Sequence, residues 1–137
     1  MNKFVSEIKK SNNEMAKNVV IDLDGVIIDF NHCKNIGICD YSNYPDCLDK
    51  LKRTECPMNS SARLYMGMMK KIGMNIIIWT ARVEEEREVT EEWLKKNKIP
   101  YDDLIMGKPR ATVYIDDLAH RFINWELAYS KVMGLSK

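Results

Sequence analysis

The chain has 137 residues, and its 21 Lys and Arg residues against 20 Asp and Glu residues give a formal net charge of +1. A chain of this length supports a single domain over residues 1–137 with a core of its own, which excludes a second large domain. The near-neutral charge argues against general coating of nucleic acid or of an anionic membrane. With 45% hydrophobic residues, the composition is that of a folded globular protein.

The N-terminal segment, residues 1–17, is polar and rich in lysine. It lacks the continuous apolar region of an export signal, so we expect a cytoplasmic protein in which this segment is a solvated arm or a short, loosely docked helix. The apolar runs, such as Ile76–Trp79, are far shorter than the roughly 18 residues that span a bilayer. We therefore expect no membrane partner.

The first predicted strand is the apolar segment Asn18–Asp22. The polar segment that follows, Asp29–Pro57, is predicted to form a surface flap, or small cap, over the sheet edge. It contains all four cysteines, which are Cys33, Cys39, Cys47 and Cys56. A structural zinc site is one interpretation of this cluster, but the spacing has no C-x-x-C pair, which favours reduced thiols. The sequence leaves metal binding by this cluster open.

A second strand with a helix on either side follows the flap. Residues 60–72 have apolar side chains at helical spacing, with Ser60 as the predicted cap and Gly73 as the stop. The continuous apolar run Asn75–Trp79 predicts a buried strand. Residues 84–97 begin with three glutamates and end near two lysines, which complements a helix dipole, and their predicted buried stripe is Val89 and Trp93.

The remaining elements complete an alternating pattern of strands and helices. A short strand is predicted at Leu104–Met106, a buried strand at Thr112–Ile115, another short strand at Phe122–Ile123, and a terminal helix capped by Asn124. Such alternation is typical of an α/β fold with a mainly parallel, Rossmann-like sheet in a three-layer α/β/α sandwich. Ligands of such folds bind at the carboxyl ends of the strands.

Two acids stand where the first predicted strand ends. Asp22 and Asp24 are separated by one residue, and Gly25 then allows the backbone to turn. Carboxylates in this arrangement can hold a hard cation while one oxygen attacks a substrate. A calcium loop or a solvated aspartate turn is the alternative, but the further oxygen ligands and closing Glu of an EF-hand do not follow.

The other predicted strands also end in polar residues. Thr80 ends the second strand, with a hydroxyl and a backbone N–H suited to a phosphoryl oxygen, and Arg82 lies two residues on. Lys108 precedes the predicted strand at 112–115, and Asp116 and Asp117 follow it. Adjacent carboxylates repel each other unless a cation or a basic group neutralises them. A turn role for Thr80 and a surface role for Lys108 are the structural alternatives.

Four motifs in this order, IDLDGV, IIIWT, the lysine of GKP and YIDD, resemble those of the haloacid dehalogenase-like (HAD) phosphohydrolase superfamily. The resemblance extends from Val19 to about Trp125 and is greatest to small, minimally capped bacterial and phage members. It implies a HAD-like fold and a Mg²⁺-dependent phosphomonoesterase that works through an aspartyl-phosphate intermediate.

The resemblance also implies a role for each site residue. Asp22 is the implied nucleophile, and Asp24 is the implied general acid and base, whose backbone carbonyl ligates the metal. Mg²⁺ is implied to bind Asp22, that carbonyl, and Asp116 or Asp117, and the sequence leaves open which of these two is the direct ligand. The implied phosphate-binding positions are Gly25, Thr80, Ala81, Arg82, Lys108 and Arg110.

The substrate class is less well defined by the sequence. By the resemblance, an acid at position 24 implies a phosphate monoester. The net charge of +1 disfavours a polymeric substrate, so a small sugar phosphate or nucleotide is expected. A polynucleotide 3′-phosphatase is the alternative, since the phosphatase half of polynucleotide kinase-phosphatase shares the DxDG and IDD motifs. From a different class, the chain is also compatible with a non-catalytic phosphate-binding module on the same fold. The oligomeric state is left open.

Overall fold

The structure, a computed structural model, describes residues 17–29 and 56–135 as a mixed α/β fold. Its elements are β1 (Asn18–Ile21), α1 (Ala62–Lys71), β2 (Asn75–Trp79), a 3₁₀ turn (Glu84–Glu86), α2 (Arg87–Lys96), β3 (Asp103–Ile105) and α3 (Trp125–Leu135). The predicted N-terminal arm, nearly all of the predicted flap, and three of the four cysteines lie outside the described residues.

The three strands form a parallel sheet in the order β1-β2-β3. Val19 pairs with Ile76 across β1 and β2, and Ile78 pairs with Leu104 across β2 and β3. The chain runs from β1 through α1 to β2, and from β2 through the 3₁₀ turn and α2 to β3. The prediction of a parallel α/β sheet is therefore confirmed, and the carboxyl ends of all three strands lie at one edge.

Helix α2 buries the stripe that its sequence predicts, whereas α1 buries Ala62, Met66 and Met69 and leaves Leu64 of its predicted apolar face 60% exposed. Val89 and Trp93 of α2 are buried, as the pattern indicates. Helix α1 ends before Gly73, which has φ +89°. At its start the prediction is wrong in detail, because α1 follows Ser61 without a side-chain cap rather than beginning on Ser60.

One hydrophobic core connects the sheet with the helices. Trp93 is fully buried, and its indole N–H donates to the Cys56 carbonyl at 2.8 Å. Trp125 is buried at the start of α3, and the rings of Tyr65 and Tyr129 bring α1 and α3 together at 5.4 Å. The longest described helix, α3, has 11 residues, and none of the described helices is both long and apolar enough to cross a membrane.

The strand predicted at Thr112–Ile115 is wrong. These residues are irregular, and Ile115 is 96% exposed. An apolar run becomes a strand only where a neighbouring strand accepts it, and in the structure β3 rather than this segment pairs with β2. Local contacts fold the segment back instead, since the Tyr114 hydroxyl donates to the Pro109 carbonyl.

The short strand predicted at Phe122–Ile123 is also wrong. Ile123 is 70% exposed, and Phe122 packs its ring edge-on against Trp125 at 5.6 Å. The predicted cap of the last helix is confirmed, because the Asn124 side chain accepts the Leu127 N–H at 2.8 Å.

Candidate active site

The segments after β2 and β3 are joined by backbone hydrogen bonds. The Thr80 N–H donates to the Ile105 carbonyl at 3.0 Å, and the Lys108 N–H donates to the Thr80 carbonyl at 2.8 Å. The Gly107 N–H donates to the Arg82 carbonyl at 2.8 Å, from a left-handed conformation with φ +79°. Thr80 and Lys108, both predicted to bind phosphate, are therefore held side by side by their own backbones.

The loop after β1 is a tight turn built around one carbonyl. The Leu23 carbonyl accepts the N–H groups of Ile27 at 2.9 Å and Ile28 at 3.0 Å. Gly25 lies in this turn with φ +89°, a conformation that favours glycine. The turn places Asp22 and Asp24 at the carboxyl end of β1.

Two other parts of the chain hold this loop in place. The Val26 carbonyl accepts the Asn59 amide at 3.1 Å and the Trp125 indole N–H at 2.9 Å. A carbonyl oxygen has two lone pairs, so these two donors satisfy it fully. The backbone of the site is thus anchored both to the start of α1 and to the start of α3.

Asp22 is a partly desolvated carboxylate with a lysine near it. Burial raises its pKa above the ordinary 3.8, and the charge of Lys108 is the largest influence that opposes this rise. The Leu23 N–H, which donates to Asp22 Oδ1 at 2.9 Å, also lowers the pKa. The nearby charge of Asp24 raises it. A carboxylate that has lost hydration and faces a cation has the properties of an activated nucleophile.

Asp24 is paired with Arg82. The Arg82 Nη2–H donates to Asp24 Oδ1 at 2.6 Å, and its Nε–H donates to Oδ2 at 2.9 Å, which is a bidentate ion pair. The Arg82 side chain is only 12% exposed and that of Asp24 26%. The arginine therefore fixes the plane of the Asp24 carboxylate, and each carboxylate oxygen keeps a second lone pair for proton transfer.

Arg82 has further partners on the other side. Its Nη1–H donates to Thr90 Oγ1 at 3.0 Å. Burial lowers the pKa of Arg82, but the charge and hydrogen bonds of Asp24, followed by the charge of Glu86, outweigh burial and raise that pKa above its usual value. Arg82 is thus a permanent cation between two acids.

Thr80 keeps a hydrogen bond donor available at the site. Its Oγ1 accepts the Arg82 backbone N–H at 3.2 Å, and a hydroxyl that accepts one hydrogen bond still has its own hydrogen to donate. Thr80 is almost fully buried at 1% exposure. Its position is therefore rigid, as a group that binds a phosphoryl oxygen requires.

The Lys108 ammonium lies between two aromatic rings. It is 5.3 Å from the centroid of Trp79 and 4.6 Å from that of Tyr114. Both distances are within the range of cation–π attraction. The rings restrict the lysine and place aromatic surface beside the positions predicted to bind phosphate.

The remaining predicted site residues are more exposed. Asp116 and Asp117 lie on the surface, and Asp116 Oδ1 accepts the Leu118 N–H at 2.7 Å. Arg110 is exposed, and Ala81 lies between Thr80 and Arg82 in the segment after β2. Within residues 17–29 and 56–135, no three His, Cys, Asp or Glu side chains come together as a metal site. The structure thus groups Asp22, Asp24, Thr80, Arg82 and Lys108.

Sequence reasoning missed two polar residues that act on Arg82, one in the 3₁₀ turn and one in α2. Glu86 and Thr90 are buried, and with Trp93 they follow one helical stripe at spacings of four and three residues. The sequence did offer a signal for them, because both are polar residues at helical positions whose neighbours are buried and apolar.

Comparisons with known proteins give structural neighbours only. No protein-family model matches the chain, and no curated protein matches it. A crystal structure of a target protein from Vibrio cholerae is 24% identical with a TM-score of 0.56, and the match covers 88% of this chain and 99% of that one. This likeness supports the α/β fold.

Chains of two Pnkp1/Rnl/Hen1 structures are also similar to parts of this chain. One chain of a Pnkp1/Rnl/Hen1 complex is 26% identical with a TM-score of 0.48, over 74% of this chain and 31% of that one. A chain of the Pnkp1/Rnl/Hen1 RNA repair complex is 22% identical with a TM-score of 0.48, over 90% of this chain and 32% of that one. This chain therefore spans about a third of each of those longer chains.

Proposed function

We propose that the protein is a HAD-like phosphomonoesterase with the three-layer α/β/α sandwich of that superfamily. The observation that carries the proposal is the environment of Asp22, a half-buried carboxylate on which the charge of Lys108 acts. The Lys108 N–H in turn donates to the Thr80 carbonyl at 2.8 Å. A nucleophile and two phosphate-binding groups at one sheet edge are what phosphoryl transfer needs.

The proposed reaction has two steps, and Asp22 is the nucleophile in the first. Asp22 attacks the phosphorus and the bond between phosphorus and the ester oxygen breaks. Asp24 enters this step as the protonated carboxyl, gives its proton to the departing oxygen, and is left as the carboxylate paired with Arg82. Water then attacks the phosphorus of the aspartyl-phosphate, while Asp24 takes a proton from that water. The products are an alcohol and inorganic phosphate, and both carboxyl groups return to their starting states.

Lys108 and Thr80 stabilise charge in this mechanism. The charge of a loose, metaphosphate-like transition state spreads over the phosphoryl oxygens. The Lys108 ammonium and the Thr80 hydroxyl are positioned before the reaction, so they can bind these oxygens without a costly rearrangement.

Mg²⁺ is the proposed cofactor, and the described residues fit part of its ligand set. Asp22 Oδ1 accepts a backbone N–H, and Oδ2 is the oxygen that we propose for the metal. The Asp24 carboxylate is engaged by Arg82, which suits a ligand role for the Asp24 carbonyl. We propose Asp116 or Asp117 as the further carboxylate. When bound, the cation neutralises negative charge between Asp22 and the phosphoryl group.

The substrate is proposed to be a small phosphate monoester. A second candidate, the 3′-phosphate end of a polynucleotide, is favoured by the rings of Trp79 and Tyr114 beside Lys108, because aromatic side chains stack on nucleobases. A panel of sugar phosphates, nucleotides and 3′-phosphorylated oligonucleotides distinguishes the two. Cleavage of oligonucleotides alone, with a steep dependence on salt, would favour the second candidate.

The central test compares Asp22→Asn with Asp103→Asn. In both aspartates Oδ1 accepts the N–H of the next residue, at 2.9 Å in Asp22 and 2.8 Å in Asp103, but Asp103 begins β3 at the opposite edge of the sheet. We expect Asp22→Asn to abolish hydrolysis of 4-nitrophenyl phosphate and Asp103→Asn to retain it. EDTA should stop the wild-type reaction and Mg²⁺ should restore it. A wild-type protein that never exceeds the buffer rate would favour a binding module.

A further inference from the structure

Helix α2 and the turn before it present two polar residues to the protein interior. Glu86 is 5% exposed and Thr90 is 0% exposed. A residue that only fills the core has no need of a carboxylate or a hydroxyl, and burying either group is unfavourable unless it has a partner. The polar groups of these residues therefore require an explanation beyond packing.

Thr90 contacts Arg82 from the side opposite Asp24. Thr90 Oγ1 accepts the Arg82 Nη1–H at 3.0 Å, while the Nε–H and Nη2–H of the same guanidinium bind Asp24. Glu86 is near enough for its charge to act on Arg82. The guanidinium is planar and rigid, so acceptors on two sides fix its rotation as well as its position.

We propose that Thr90, supported by Glu86, is a positioning residue that orients Asp24 through Arg82 for proton transfer to the leaving oxygen. This inference rests on the proposed phosphomonoesterase function. Without the Thr90 oxygen, the guanidinium is free to pivot about its bidentate contact, and the plane of the Asp24 carboxylate turns with it. Proton transfer tolerates little misalignment, because the carboxyl must stay within hydrogen-bond reach of the oxygen that departs.

The leaving group separates this role from a structural one. An alkoxide is a poor leaving group and needs a proton as the bond to phosphorus breaks, whereas 4-nitrophenolate leaves readily without one. A defect in the orientation of Asp24 should therefore reduce hydrolysis of an alkyl phosphate more than that of 4-nitrophenyl phosphate. A general loss of stability or of phosphate binding would affect both substrates alike.

The experiment measures kcat/KM of the full chain with 2-glycerophosphate and with 4-nitrophenyl phosphate in the presence of Mg²⁺. For Thr90→Val we expect a loss of about 10-fold on the alkyl ester and less than about 3-fold on the aryl ester, a part of the 10²–10⁴-fold that general acid catalysis contributes. Thr90→Ser keeps the hydroxyl and should restore the alkyl reaction. Equal losses on both esters, or a serine variant no better than the valine variant, would overturn the proposal.

Glu86→Gln provides a second and independent test, and Glu85→Gln is its matched control. Glu85 is the exposed neighbour of Glu86. We expect Glu86→Gln to shift the ratio of alkyl to aryl activity in the same direction as Thr90→Val, and Glu85→Gln to leave the ratio unchanged. If thermal unfolding shows that Thr90→Val does not fold, the comparison of Glu86→Gln with Glu85→Gln tests the positioning role instead. An unchanged ratio of alkyl to aryl activity in Glu86→Gln then counts against the proposal.

The activity of Asp22→Asn distinguishes a failure of the proposed function from a failure of the positioning role. If Asp22→Asn retains full activity on both esters, the proposed function itself has failed. If Asp22→Asn is inactive while Thr90→Val and Glu86→Gln leave the ratio unchanged, only the positioning role is wrong.

Discussion

Replacing Arg82 by Met and Asp24 by Asn, singly and together, measures the coupling free energy of the ion pair beside the proposed nucleophile. The pair is bidentate, with N–O distances of 2.6 and 2.9 Å. Its side chains are 12% and 26% exposed. It is therefore neither fully buried nor a surface pair.

The structure bounds the size of this coupling. Opposite charges about 4 Å apart attract by about 4 kcal/mol at an effective dielectric constant of about 20. Desolvation offsets part of this attraction, and a coupling of about 2 kcal/mol remains as our expectation, above the roughly 0.2–1 kcal/mol of exposed pairs. Arg82→Met alone should lower the free energy of unfolding by more than Asp24→Asn, because methionine offers the Asp24 carboxylate no donor, whereas the amide of Asp24→Asn still offers Arg82 an acceptor oxygen.

Urea denaturation of the four proteins at pH 7, with EDTA present, gives the coupling as a double-mutant cycle. The pair Arg87 and Glu84 is the control, since its N–O distance is also 2.6 Å but its side chains are 35% and 67% exposed. We expect the control coupling to be smaller and to fall with added salt. A coupling below about 0.5 kcal/mol for Arg82 and Asp24 would refute the conclusion that the pair is held away from water.

Three further predictions concern the loop that carries the acids. Because the folded-state pKa of Asp22 is raised above 3.8, its ionisation destabilises the fold as the pH rises. Asp22→Asn in EDTA should therefore unfold at a higher temperature than wild type at pH 7, by about 3–5 °C per kcal/mol. This difference in unfolding temperature should disappear as the pH falls towards 3.8. A difference that does not depend on pH would contradict this. Trp125→Phe keeps an aromatic ring but removes the indole N–H that donates to the Val26 carbonyl and makes a buried side chain smaller, so urea denaturation should show a loss of at least about 1 kcal/mol; an unchanged midpoint would mean that the anchor contributes nothing. Gly25→Ala meets no atom within 4 Å but must adopt φ +89°, so the same measurement should show a loss of about 1–2 kcal/mol from the backbone alone, and a stabilised variant would disagree with the described turn.

The elements that could be predicted are those whose own residues favour the structure they form. A helical pattern lies between the apolar runs that became β1 and β2, and Gly73 and Asn124 mark helix ends by local chemistry. The segment Thr112–Ile115 has a similar composition, yet it is exposed. Strand formation depends on a partner edge, which the composition of the segment does not contain.

The site was predictable as a set of residues but not as a set of contacts. The motifs indicated Asp22, Asp24 and Lys108, and strand order placed them at one edge. Arg82 was expected to bind phosphate, whereas in the structure its guanidinium binds Asp24, 58 positions away in the chain. No local pattern specifies such a long-range pairing, and the place of Thr90 beside it follows only from how α2 packs on the sheet.

The anchoring of the Val26 carbonyl has a consequence for the order in which the molecule folds. Its donor Trp125 lies 99 positions further along the chain, so the loop that holds both acids is synthesised before the residue that secures it. Contacts between distant positions form slowly, because a long loop must close first. The candidate site should therefore be completed at the last stage of folding, and detachment of α3 should release the loop while the pairing of β1 with β2 is still intact.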